Sequence, residues 1–572
     1  MHTPSKAPLA DGRSVQIFAP DQFEAVIWRE GKRAAFKGPD FWTLVGRYME
    51  FTKARVGAGG FGLIISRSSV DMLALFLAMV ASRRLVSFFP PNAAIQDQNH
   101  YFEQQRSSLR KINPSSIFVF EQELVDLINR IDPQLDDRVV LVPKLSEAPA
   151  GDRAGHANAL QSFVIALDND KPIFVQHSSG TTGIKKAVEI SGTALLRQHD
   201  AYWPLIRNSA GSGVRVASWL PLYHDMGLLA TFLLPVLGGD SISLIDPFEW
   251  IGKPGTLFDV IEHDRCNVCW LPNFAFRHYT RLLRSLPKRD LSSIKLWVDC
   301  SEPCRAVDAG AFEEVFRDWG VTENSVVGCY AMAETVFGVS LLSSSKRRAL
   351  KVPRNVIPGQ DLRSIGAEIV EGPVSKPDDQ HVLVLSSGEP VPGIDVDMFV
   401  GGKRVPAGVY GEVGLRGGFV FGGYRNMTQT ESNIRPDGYY LTGDLGAMID
   451  GHIYVFGRLK EIVIINGKNI FAGDVEDAVN GIPGVKKGRV VVFGVESDQT
   501  GSEELIVVAE KDQSASVADD ALRGGINRLV TDNFMVRPRD IRIVNERWLV
   551  KSTSGKISRQ QNRDRYLETF RK

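Results

Sequence analysis

Residues 177–190, HSSGTTGIKKAVEI, constrain the fold more than any other part of the chain. Small hydroxyl residues and glycines fill positions 178–183, and short apolar runs flank them on both sides. Glycines let the backbone turn tightly, so several amide N–H groups and hydroxyls can converge on one anion, with Lys185 and Lys186 beside it. The pattern predicts a polyphosphate-binding loop between two strands, and a flexible Ser/Gly turn is the alternative. Because no Lys-Ser or Lys-Thr pair follows the glycines at the Walker spacing, a different kind of nucleotide site is indicated.

Bulk composition excludes several classes of protein. The 572 residues should form several folding units, because one core seldom grows beyond about 250–300 residues. Sixty-seven basic and sixty-seven acidic residues cancel, so no overall field attracts nucleic acid or an anionic membrane. The first residues lack the apolar core of a secretory signal, and the apolar runs 72–81 and 228–237 are far shorter than the roughly 20 residues of a membrane span. We therefore expect a cytoplasmic protein without a membrane span or a nucleic-acid partner.

The five cysteines suit a reducing compartment. Two pairs, Cys266-x-x-Cys269 and Cys300-x-x-x-Cys304, have spacings that could hold zinc. Residues 267–271, NVCWL, instead resemble a buried strand, on which positions 266 and 269 would point to opposite faces. We therefore favour buried thiols over a zinc site.

Apolar runs of strand length alternate with longer segments of helical period. Residues 62–66 precede the helical segment 69–82, and residues 296–299 precede the segment 306–319. This alternation predicts an α/β fold in which helices cover sheets.

Two breaks interrupt the alternation. Residues 341–381 contain a run of three basic residues and four prolines, which predicts a long irregular connection. A β-rich passage ends near Gly457. We therefore predict an N-terminal domain of residues 1–456 and a small α+β domain of residues 457–572.

Further motifs follow in a fixed order and carry a resemblance to a known family. They are SWLPLYHDMGLL (218–229), LPNFAF (271–276), DCSEPCR (299–305), GCYAMAETVFGVS (328–340), YYLTGDLG (439–446), GRLKEIVIINGKNI (457–470) and KSTSGKISR (551–559). With the glycine-rich loop they resemble the adenylate-forming enzymes, which include acyl-CoA synthetases, luciferase and peptide-synthetase adenylation domains. The first two motifs and the pair Glu302-Pro303 are most similar to those of fatty acyl-AMP ligases, and the stretch 341–381 lies where those ligases carry an insertion. The resemblance implies a large N-terminal domain of several subdomains, a small mobile α+β C-terminal domain, and an active site between them.

The resemblance also implies which residues surround ATP. They would be Ser178, Ser179, Gly180, Thr181, Thr182, Gly183, Lys186, Ser301, Glu302, Pro303, Tyr330, Ala331, Met332, Ala333, Glu334, Asp444, Arg458 and Lys556. Tyr330 would stack on adenine, and Asp444 with Arg458 would bind the ribose hydroxyls. Glu334 would hold Mg²⁺, a hard ion that prefers oxygen ligands.

In the implied reaction a carboxylate attacks the α-phosphorus of ATP and expels pyrophosphate. Two anions must meet, so positive charge has to be placed between them. By resemblance, Lys556 bridges the carboxylate and the α-phosphate, and Thr182 and His224 complete the catalytic set. Lys460 stands at the hinge position about which the C-terminal domain would rotate.

Each of these assignments has a simpler structural alternative. Asp444 could cap a turn, and Glu334 could be a carboxylate stabilised at a helix start. Lys556 could be an exposed loop lysine, and His224 could be a satisfied buried histidine.

The motifs also suggest the acid that would be activated. The predicted substrate pocket consists of His224, Met226, Phe274, Phe276, Phe337 and Gly338. This apolar and aromatic set suits a medium or long fatty acid, and also an aryl acid. The aspartate that anchors amino acids in the family has no clear counterpart near Phe274, so amino acids are disfavoured.

The acceptor of the acyl group would be a thiol, either of coenzyme A or of the phosphopantetheine arm of an acyl carrier protein. An insertion that restrains domain rotation favours the carrier. The tail 551–572, with seven basic and two acidic residues, and Lys486, Lys487 and Arg489 could dock an acidic carrier, or could simply be solvated. The alternatives are an acyl-CoA or aryl-CoA synthetase and, from another class, a non-catalytic nucleotide-binding scaffold protein.

Overall fold

The structure is a computed structural model of the chain. It describes residues 5–8, 14–17, 22–57, 60–91, 98–147, 154–178, 186–211, 213–302, 304–342, 346–353, 356–372, 381–465, 468–497, 502–551 and 557–570. Within these ranges helices and sheets alternate, with a large N-terminal domain and a smaller C-terminal domain.

The strands in chain order are β1 (Ser5–Pro8), β2 (Ser14–Ile17), β3 (Glu24–Arg29), β4 (Lys32–Lys37), β5 (Phe61–Ile65), β6 (Leu85–Phe89), β7 (Ser116–Val119), β8 (Val139–Leu141), β9 (Pro172–Ser178), β10 (Lys186–Ser191), β11 (Arg215–Ser218), β12 (Ser241–Ile245), β13 (Val268–Pro272), β14 (Leu296–Cys300), β15 (Val326–Ala331), β16 (Gly338–Leu341), β17 (Arg348–Pro353), β18 (Glu368–Glu371), β19 (His381–Leu385), β20 (Glu389–Pro390), β21 (Ile394–Val400), β22 (Lys403–Val405), β23 (Gly411–Gly417), β24 (Tyr440–Ile449), β25 (His452–Arg458), β26 (Ile462–Ile465), β27 (Lys468–Phe471), β28 (Val485–Ser497), β29 (Ser502–Lys511) and β30 (Asp540–Val544).

The α-helices in chain order are α1 (Gly38–Lys53), α2 (Val70–Ala81), α3 (Gln98–Ile112), α4 (Gln122–Ile131), α5 (Ala154–Leu167), α6 (Gly192–Ala210), α7 (Leu234–Gly238), α8 (Pro247–Gly252), α9 (Thr256–Asp264), α10 (Asn273–Leu282), α11 (Ala306–Val315), α12 (Ala472–Asn480), α13 (Asp519–Phe534) and α14 (Arg559–Phe570).

The first sheet of the N-terminal domain has the strand order β10-β9-β6-β5-β7-β8 among the described residues. Strands β5 to β9 run parallel, and β10 pairs antiparallel with β9 at the edge. Helix α2, which follows β5, is apolar around its circumference and is buried along its whole length, as such a helix must be. The side chain of Ser69 caps α2 by accepting a hydrogen bond from the amide of Met72 at 3.1 Å. The predicted strand and helix at 62–82 are thus confirmed.

The second sheet brings the sequence motifs together. Its order in the described residues is β20-β16-β15-β14-β13-β11-β12-β3-β4, and its central strands β11 to β15 are parallel. The carboxyl ends of parallel strands meet at one edge of a sheet, which is where α/β proteins bind ligands. Strands β15, β14, β13 and β11 are neighbours, so the motifs that begin or continue at their carboxyl ends lie side by side.

Residues 341–381 are more regular than the sequence indicates. Strand β17 pairs antiparallel with β18 and with β19, and Leu350 and Val352 of β17 are buried against Tyr410 and Tyr454. The prediction of an irregular connection is therefore wrong for the described part of this stretch. A neighbouring antiparallel sheet has the order β22-β21-β23-β24-β25.

The C-terminal domain has its own hydrophobic core. Strands β28, β29 and β30 form its sheet, and α12, α13 and α14 pack on the two faces. One face buries Val475, Val479, Val490, Val492, Leu505, Val507, Leu522, Ile526 and Val530. Because this core is separate from that of residues 22–456, the C-terminal part has the packing expected of an independent folding unit.

All five cysteines are free and buried, which confirms the expectation of buried thiols. Cys266, Cys269, Cys300 and Cys329 lie in the main hydrophobic core, and Cys304 lies in a small cluster beside it. Among the residues that the structure describes, no helix combines the length and the hydropathy needed to span a membrane.

Candidate active site

The predicted phosphate loop connects β9 and β10. The two strands are paired antiparallel as far as Ser178 and Lys186, so β9 and β10 form a hairpin at the edge of the first sheet. Its predicted ATP-binding residues Ser179, Gly180, Thr181, Thr182 and Gly183 lie outside the described residues, as do Pro303 and Lys556.

The second arm of this hairpin is attached to a distant segment of the chain. Val188 forms a β-bridge with Tyr424, and the amide of Arg425 donates to the carbonyl of Ala187 at 2.9 Å. The guanidinium of Arg425 also pairs with Glu189. The hairpin is therefore held against residues 424–425.

Glu334 lies in a short helical turn, Ala333–Thr335, directly after β15. Its Oε1 accepts a hydrogen bond of 2.5 Å from the hydroxyl of Tyr424, which in turn lies 3.1 Å from the hydroxyl of Tyr440. Burial raises the pKa of Glu334, and the Tyr424 hydrogen bond opposes that shift. The carboxylate is thus held in place without an ion-pair partner among the described residues.

Lys186 lies over the ring of Tyr424, with its Nζ 4.3 Å from the ring centroid. Burial lowers the pKa of Lys186, the charge of Glu334 counteracts this, and Lys460 and Arg458 add to the lowering. Lys186 and Glu334 both contact Tyr424 and interact electrostatically. The hairpin that carries the predicted phosphate loop therefore places a cation close to the buried Glu334 carboxylate.

The surroundings of Glu334 fit a bound Mg²⁺. Its carboxylate is buried and offers hard oxygen ligands, and a divalent cation would relieve the cost of burying its charge. The hydrogen bond from Tyr424 would orient the carboxylate from behind, as groups around a metal ligand commonly do.

Asp444 and Arg458 face each other across β24 and β25, where they are paired in the strand register. The Nε of Arg458 donates to Oδ1 of Asp444 at 3.1 Å, and the hydroxyl of Tyr330 donates to Oδ2 at 2.7 Å. Burial raises the pKa of Asp444, and the charge of Arg458 opposes the shift. Three residues that the sequence assigns to nucleotide binding are thus brought together from three separate strands.

The residues Ser301 and Glu302 connect the end of β14 with neighbouring elements. Ser301 has a left-handed backbone, with φ of 69°, and its Oγ lies 3.6 Å from the sulfur of Met226. Oε2 of Glu302 accepts a hydrogen bond of 3.0 Å from the amide of Phe274, near the first turn of α10. This contact joins the DCSEP motif to the PNFAF motif.

Among the predicted acyl-pocket residues, Phe274 is partly exposed, whereas Met226, Phe276 and Phe337 are buried. Phe274 is 38% exposed and packs edge-on against the stacked rings of Trp219 and Trp250, whose centroids are 3.6 Å apart. On the same helix, Phe276 is fully buried and packs against Phe312 of α11 at 5.2 Å.

The remaining pocket candidates divide in the same way. Phe337 is fully buried against Tyr202 of α6, and a Cβ at Gly338 would come within 2.4 Å of the same ring. A π-helical segment, Met226–Leu233, begins at the buried Met226. His224 lies directly before this segment, and its Nδ1 is 2.5 Å from Oδ1 of Asp225. Such segments frequently occur at functional sites.

Lys460 is exposed on the helical turn Leu459–Glu461, which follows Arg458 directly. In the chain it lies between the sheet that carries Asp444 and the C-terminal domain. Its role as a hinge and the rotation itself stay predictions.

Tyr424, Tyr440 and Trp250 are not among the site residues predicted from the sequence. Tyr440 precedes Asp444 by four positions on the same strand, so the period of that strand could have indicated that both side chains share a face. Tyr424 and Trp250 lie outside the motifs, and only the tertiary structure brings them to Glu334 and Phe274.

Comparison with known proteins identifies the family. The family model described as AMP-binding enzyme matches residues 51–425, which is more than half of the chain. The chain is 25% identical over 422 residues to a 4-hydroxyphenylalkanoate adenylyltransferase of Mycobacterium tuberculosis, covering 69% of this chain and 65% of the relative. It is 27% identical over 421 residues to the medium-chain-fatty-acid–[acyl-carrier-protein] ligase JamA of Moorena producens, covering 70% and 69%. The chain thus spans about two thirds of the length of these two relatives.

The fold agrees with this assignment. A solved structure from work on fatty acyl-adenylate ligases of E. coli and L. pneumophila superposes with a TM-score of 0.76, at 20% identity and with 96% of both chains covered. The predicted fold, a large α/β domain followed by a smaller one, is thereby confirmed. The chain therefore belongs to the AMP-binding enzymes and is an adenylate-forming acid ligase.

Proposed function

We propose that this enzyme joins the carboxylate of a fatty acid to the α-phosphate of ATP. A carboxylate oxygen forms a bond to the α-phosphorus, the bond from that phosphorus to the bridging oxygen breaks, and pyrophosphate leaves with the electron pair. The products are an acyl-adenylate and pyrophosphate. The observation that carries this proposal is the grouping of Asp444, Arg458 and Tyr330 beside Glu334 and Lys186.

In this proposal each side chain has a defined task. Asp444 accepts hydrogen bonds from the ribose hydroxyls, and Arg458 keeps its carboxylate ionised and oriented. Lys186 and the loop that precedes it bind the terminal phosphates. Glu334 holds Mg²⁺, which when bound neutralises charge on the leaving pyrophosphate. Lys556 supplies an ammonium between the two reacting anions.

A fatty acid is the preferred substrate. Phe274, which is partly exposed, and the buried Trp219–Trp250 pair beneath it give an apolar surface, and the amide of Phe274 bonds to Glu302 of the DCSEP motif. The relative JamA, named for medium-chain fatty acids, supports the same choice, whereas the 4-hydroxyphenylalkanoate relative keeps an aryl acid as the second candidate.

We further propose that a carrier-protein thiol accepts the acyl group, with coenzyme A as the alternative. The name of JamA and the sheet of β17, β18 and β19 at the position of the insertion support the carrier. The basic docking surface is weaker than the sequence suggests, because Lys486 pairs with Glu546 at 2.6 Å and Arg489 approaches Glu510 at 3.6 Å. Lys487 remains exposed. The domain boundary at 456/457 and a cytoplasmic location stay predictions.

The proposal is tested by ATP–pyrophosphate exchange with magnesium across fatty, aryl and amino acids. We expect exchange with medium or long fatty acids. Absence of exchange with every acid would contradict the proposal and favour a non-catalytic scaffold. In the second half-reaction, acyl transfer to a phosphopantetheinylated carrier should exceed transfer to coenzyme A, and efficient acyl-CoA formation would overturn that preference.

A further inference from the structure

Helix α10 connects the predicted acyl pocket with the C-terminal domain. Its first residue, Asn273, is buried, and the next residue, Phe274, is the partly exposed ring of the predicted pocket. One turn further on, Arg277 contacts α12, because its Nη1 donates to Oδ1 of Asp477 at 3.1 Å. Residues four positions apart lie on the same face of a helix, so Asn273 and Arg277 share a face. A contact with the C-terminal domain is therefore one helical turn away from the pocket.

Asp308 of α11 joins the two ends of this turn. Its Oδ2 accepts a hydrogen bond of 2.9 Å from the side-chain amide of Asn273. The guanidinium of Arg277 donates from Nη2 to the same oxygen at 2.7 Å and from Nε to Oδ1 at 3.1 Å. Such two-point pairing of a guanidinium with a carboxylate fixes direction as well as distance. A shift of Arg277 therefore acts on Asn273 through Asp308.

Arg305 gives a second connection between the same two regions. Its backbone amide donates to Oδ1 of Asn273 at 3.1 Å. Its guanidinium pairs with Asp477, and its Nη2 lies 3.6 Å from Oδ1 of Asp474. Asn273 thus uses both ends of its side-chain amide, one toward Arg305 and one toward Asp308, as buried amides generally do. Helix α12 is therefore tied through two arginines to a single buried asparagine.

The pocket end of this connection is Phe274. Its ring packs edge-on against Trp219 and Trp250, and its amide donates to Oε2 of Glu302 at 3.0 Å. Phe274 follows Asn273 directly in the chain, so the backbone of the two residues moves together. A change in the contacts of α12 that moves Asn273 therefore also moves the Phe274 ring.

We propose that Arg277 is a positioning residue that couples the docking of α12 to the binding of the acid. Through Asp308 and Asn273 it holds Phe274 in place for the acyl chain while α12 is docked. The inference rests on the proposed function, in which Phe274 contacts the acid. Coupling between two sites is reciprocal, so binding of the acid also stabilises the docked α12. The pair of Arg277 with Asp477 is partly exposed, so the coupling is moderate, about 2- to 5-fold.

The first test measures the Kd for dodecanoate, a medium-chain fatty acid, by calorimetry. Asp477→Asn should raise this Kd about 2- to 5-fold, and Arg277→Gln about 5- to 10-fold because it also removes the pairing with Asp308. The double variant should bind dodecanoate less weakly than the product of the two single effects predicts, since the two residues contact each other. KM for ATP in pyrophosphate exchange should change less than about 2-fold. Effects that simply multiply, or an equal rise in KM for ATP, would overturn the proposal.

The matched control is Arg281→Gln on the same helix. Arg281 lies one turn beyond Arg277, and its charge interacts with the same two carboxylates, Asp308 and Asp477. Its removal takes away an equal charge but keeps every hydrogen bond of the connection, so the Kd for dodecanoate should change less than about 2-fold. An effect as large as that of Arg277→Gln would assign the result to general electrostatics and contradict the proposal.

Hydrogen–deuterium exchange tests the coupling in the natural protein, without activity and without a variant. Saturating dodecanoate should slow the exchange of backbone amides in α12 about 2- to 5-fold, because it stabilises the docked helix. In Arg277→Gln the same addition should leave α12 unchanged. Unchanged exchange in α12 of the natural protein would overturn the proposal, whether or not the variants fold.

These outcomes separate the coupling from the proposed function. If no acid supports pyrophosphate exchange but dodecanoate binds and protects α12, the proposed function fails and the coupling stands. If dodecanoate supports pyrophosphate exchange but does not protect α12, the coupling fails alone. Failure of dodecanoate to bind contradicts both the coupling and the choice of a fatty acid.

Discussion

The proposed nucleotide side of the site and the interface with the C-terminal domain are held by different kinds of contact. On the nucleotide side, Tyr330 bonds to Asp444 and Tyr424 bonds to Glu334, and all four side chains are buried. Hydrogen bonds to charged groups in such surroundings are worth about 1.5–3 kcal/mol each, and breaking one leaves a buried charge unsatisfied. The geometry of this side is therefore fixed before any ligand binds.

Across the interface, α12 meets the N-terminal domain through ion pairs. Asp477 lies 3.1 Å from Arg277 and also pairs with Arg305, whose other nitrogen is 3.6 Å from Asp474. These side chains are 22–34% exposed, so water and salt can replace their contacts at low cost. Near the hinge, apolar packing of Ile462 and Phe471 complements them. The difference indicates a rigid binding surface joined to a domain whose contacts can be exchanged.

The largest effect on activity is expected from Asp444→Asn, which removes the carboxylate that Tyr330 and Arg458 hydrogen-bond. Loss of the charge weakens every hydrogen bond that the buried Asp444 carboxylate accepts, and one hydrogen bond to a charged group contributes about 1.5–3 kcal/mol. We expect kcat/KM for pyrophosphate exchange to fall about 30-fold or more. Asp437→Asn, which removes an exposed pairing with Arg435, is the control and should leave exchange unchanged. Normal exchange in Asp444→Asn would contradict the assigned role.

A smaller effect is expected from Tyr424→Phe, which removes the donor to Glu334. Exchange at neutral pH should fall about 10-fold, the value of one hydrogen bond to a charged group. The Tyr424 hydrogen bond lowers the pKa of Glu334, so its removal raises that pKa further, and the ionised form is lost at higher pH than before. The acid limb of the exchange profile should therefore move to higher pH. The control is Tyr439→Phe, which loses a hydrogen bond to Asp397 and should keep the pH profile of the natural protein. An acid limb that does not move in Tyr424→Phe would contradict the requirement for an ionised Glu334.

The smallest effect is expected at the interface, from Asp477→Asn. Exposed or half-exposed ion pairs contribute about 0.2–1 kcal/mol, so each half-reaction should change less than about 5-fold. The substitution should also reduce the dependence of the rates on salt concentration, because fewer screened pairs remain. Asp290→Asn, which breaks the exposed pairing with Arg265 within the N-terminal domain, is the matched control. A fall as large as that of Asp444→Asn would remove the distinction between the two regions.

The parts of this fold that the sequence predicts are those set by local patterns. The predicted runs 62–66, 69–82, 296–299 and 306–319 correspond to β5, α2, β14 and α11, of which α11 ends earlier than predicted, at Val315. Burial of one or all faces of an element leaves a clear period in the sequence. The basic run 346–348 predicted an irregular connection, whereas β17 begins at its last residue, Arg348. Arg347 is buried and lies 2.5 Å from Glu313 of α11, a contact that no local pattern indicates.

The candidate site divides in the same way. The motifs predicted Tyr330, Asp444 and Arg458 as one group, and the strand register brings them together. The motifs did not predict that Glu302 would bond to the amide of Phe274, or that Phe276 would pack into the core, because both depend on how α10 lies against β14. The roles of Ser178, Thr182 and Lys556 stay predictions.

The burial of every native thiol has a practical consequence for testing the predicted rotation of the C-terminal domain. Burial raises the pKa of Cys266 to about 12 and also raises the pKa values of Cys269, Cys304 and Cys329, so the reactive thiolate is scarce at these positions. A single cysteine introduced on the surface of each domain would then react with a maleimide dye far faster than the native ones. The distance between the two domains, with and without ATP and a fatty acid, can thus be measured by fluorescence, and an unchanged distance would contradict the predicted rotation.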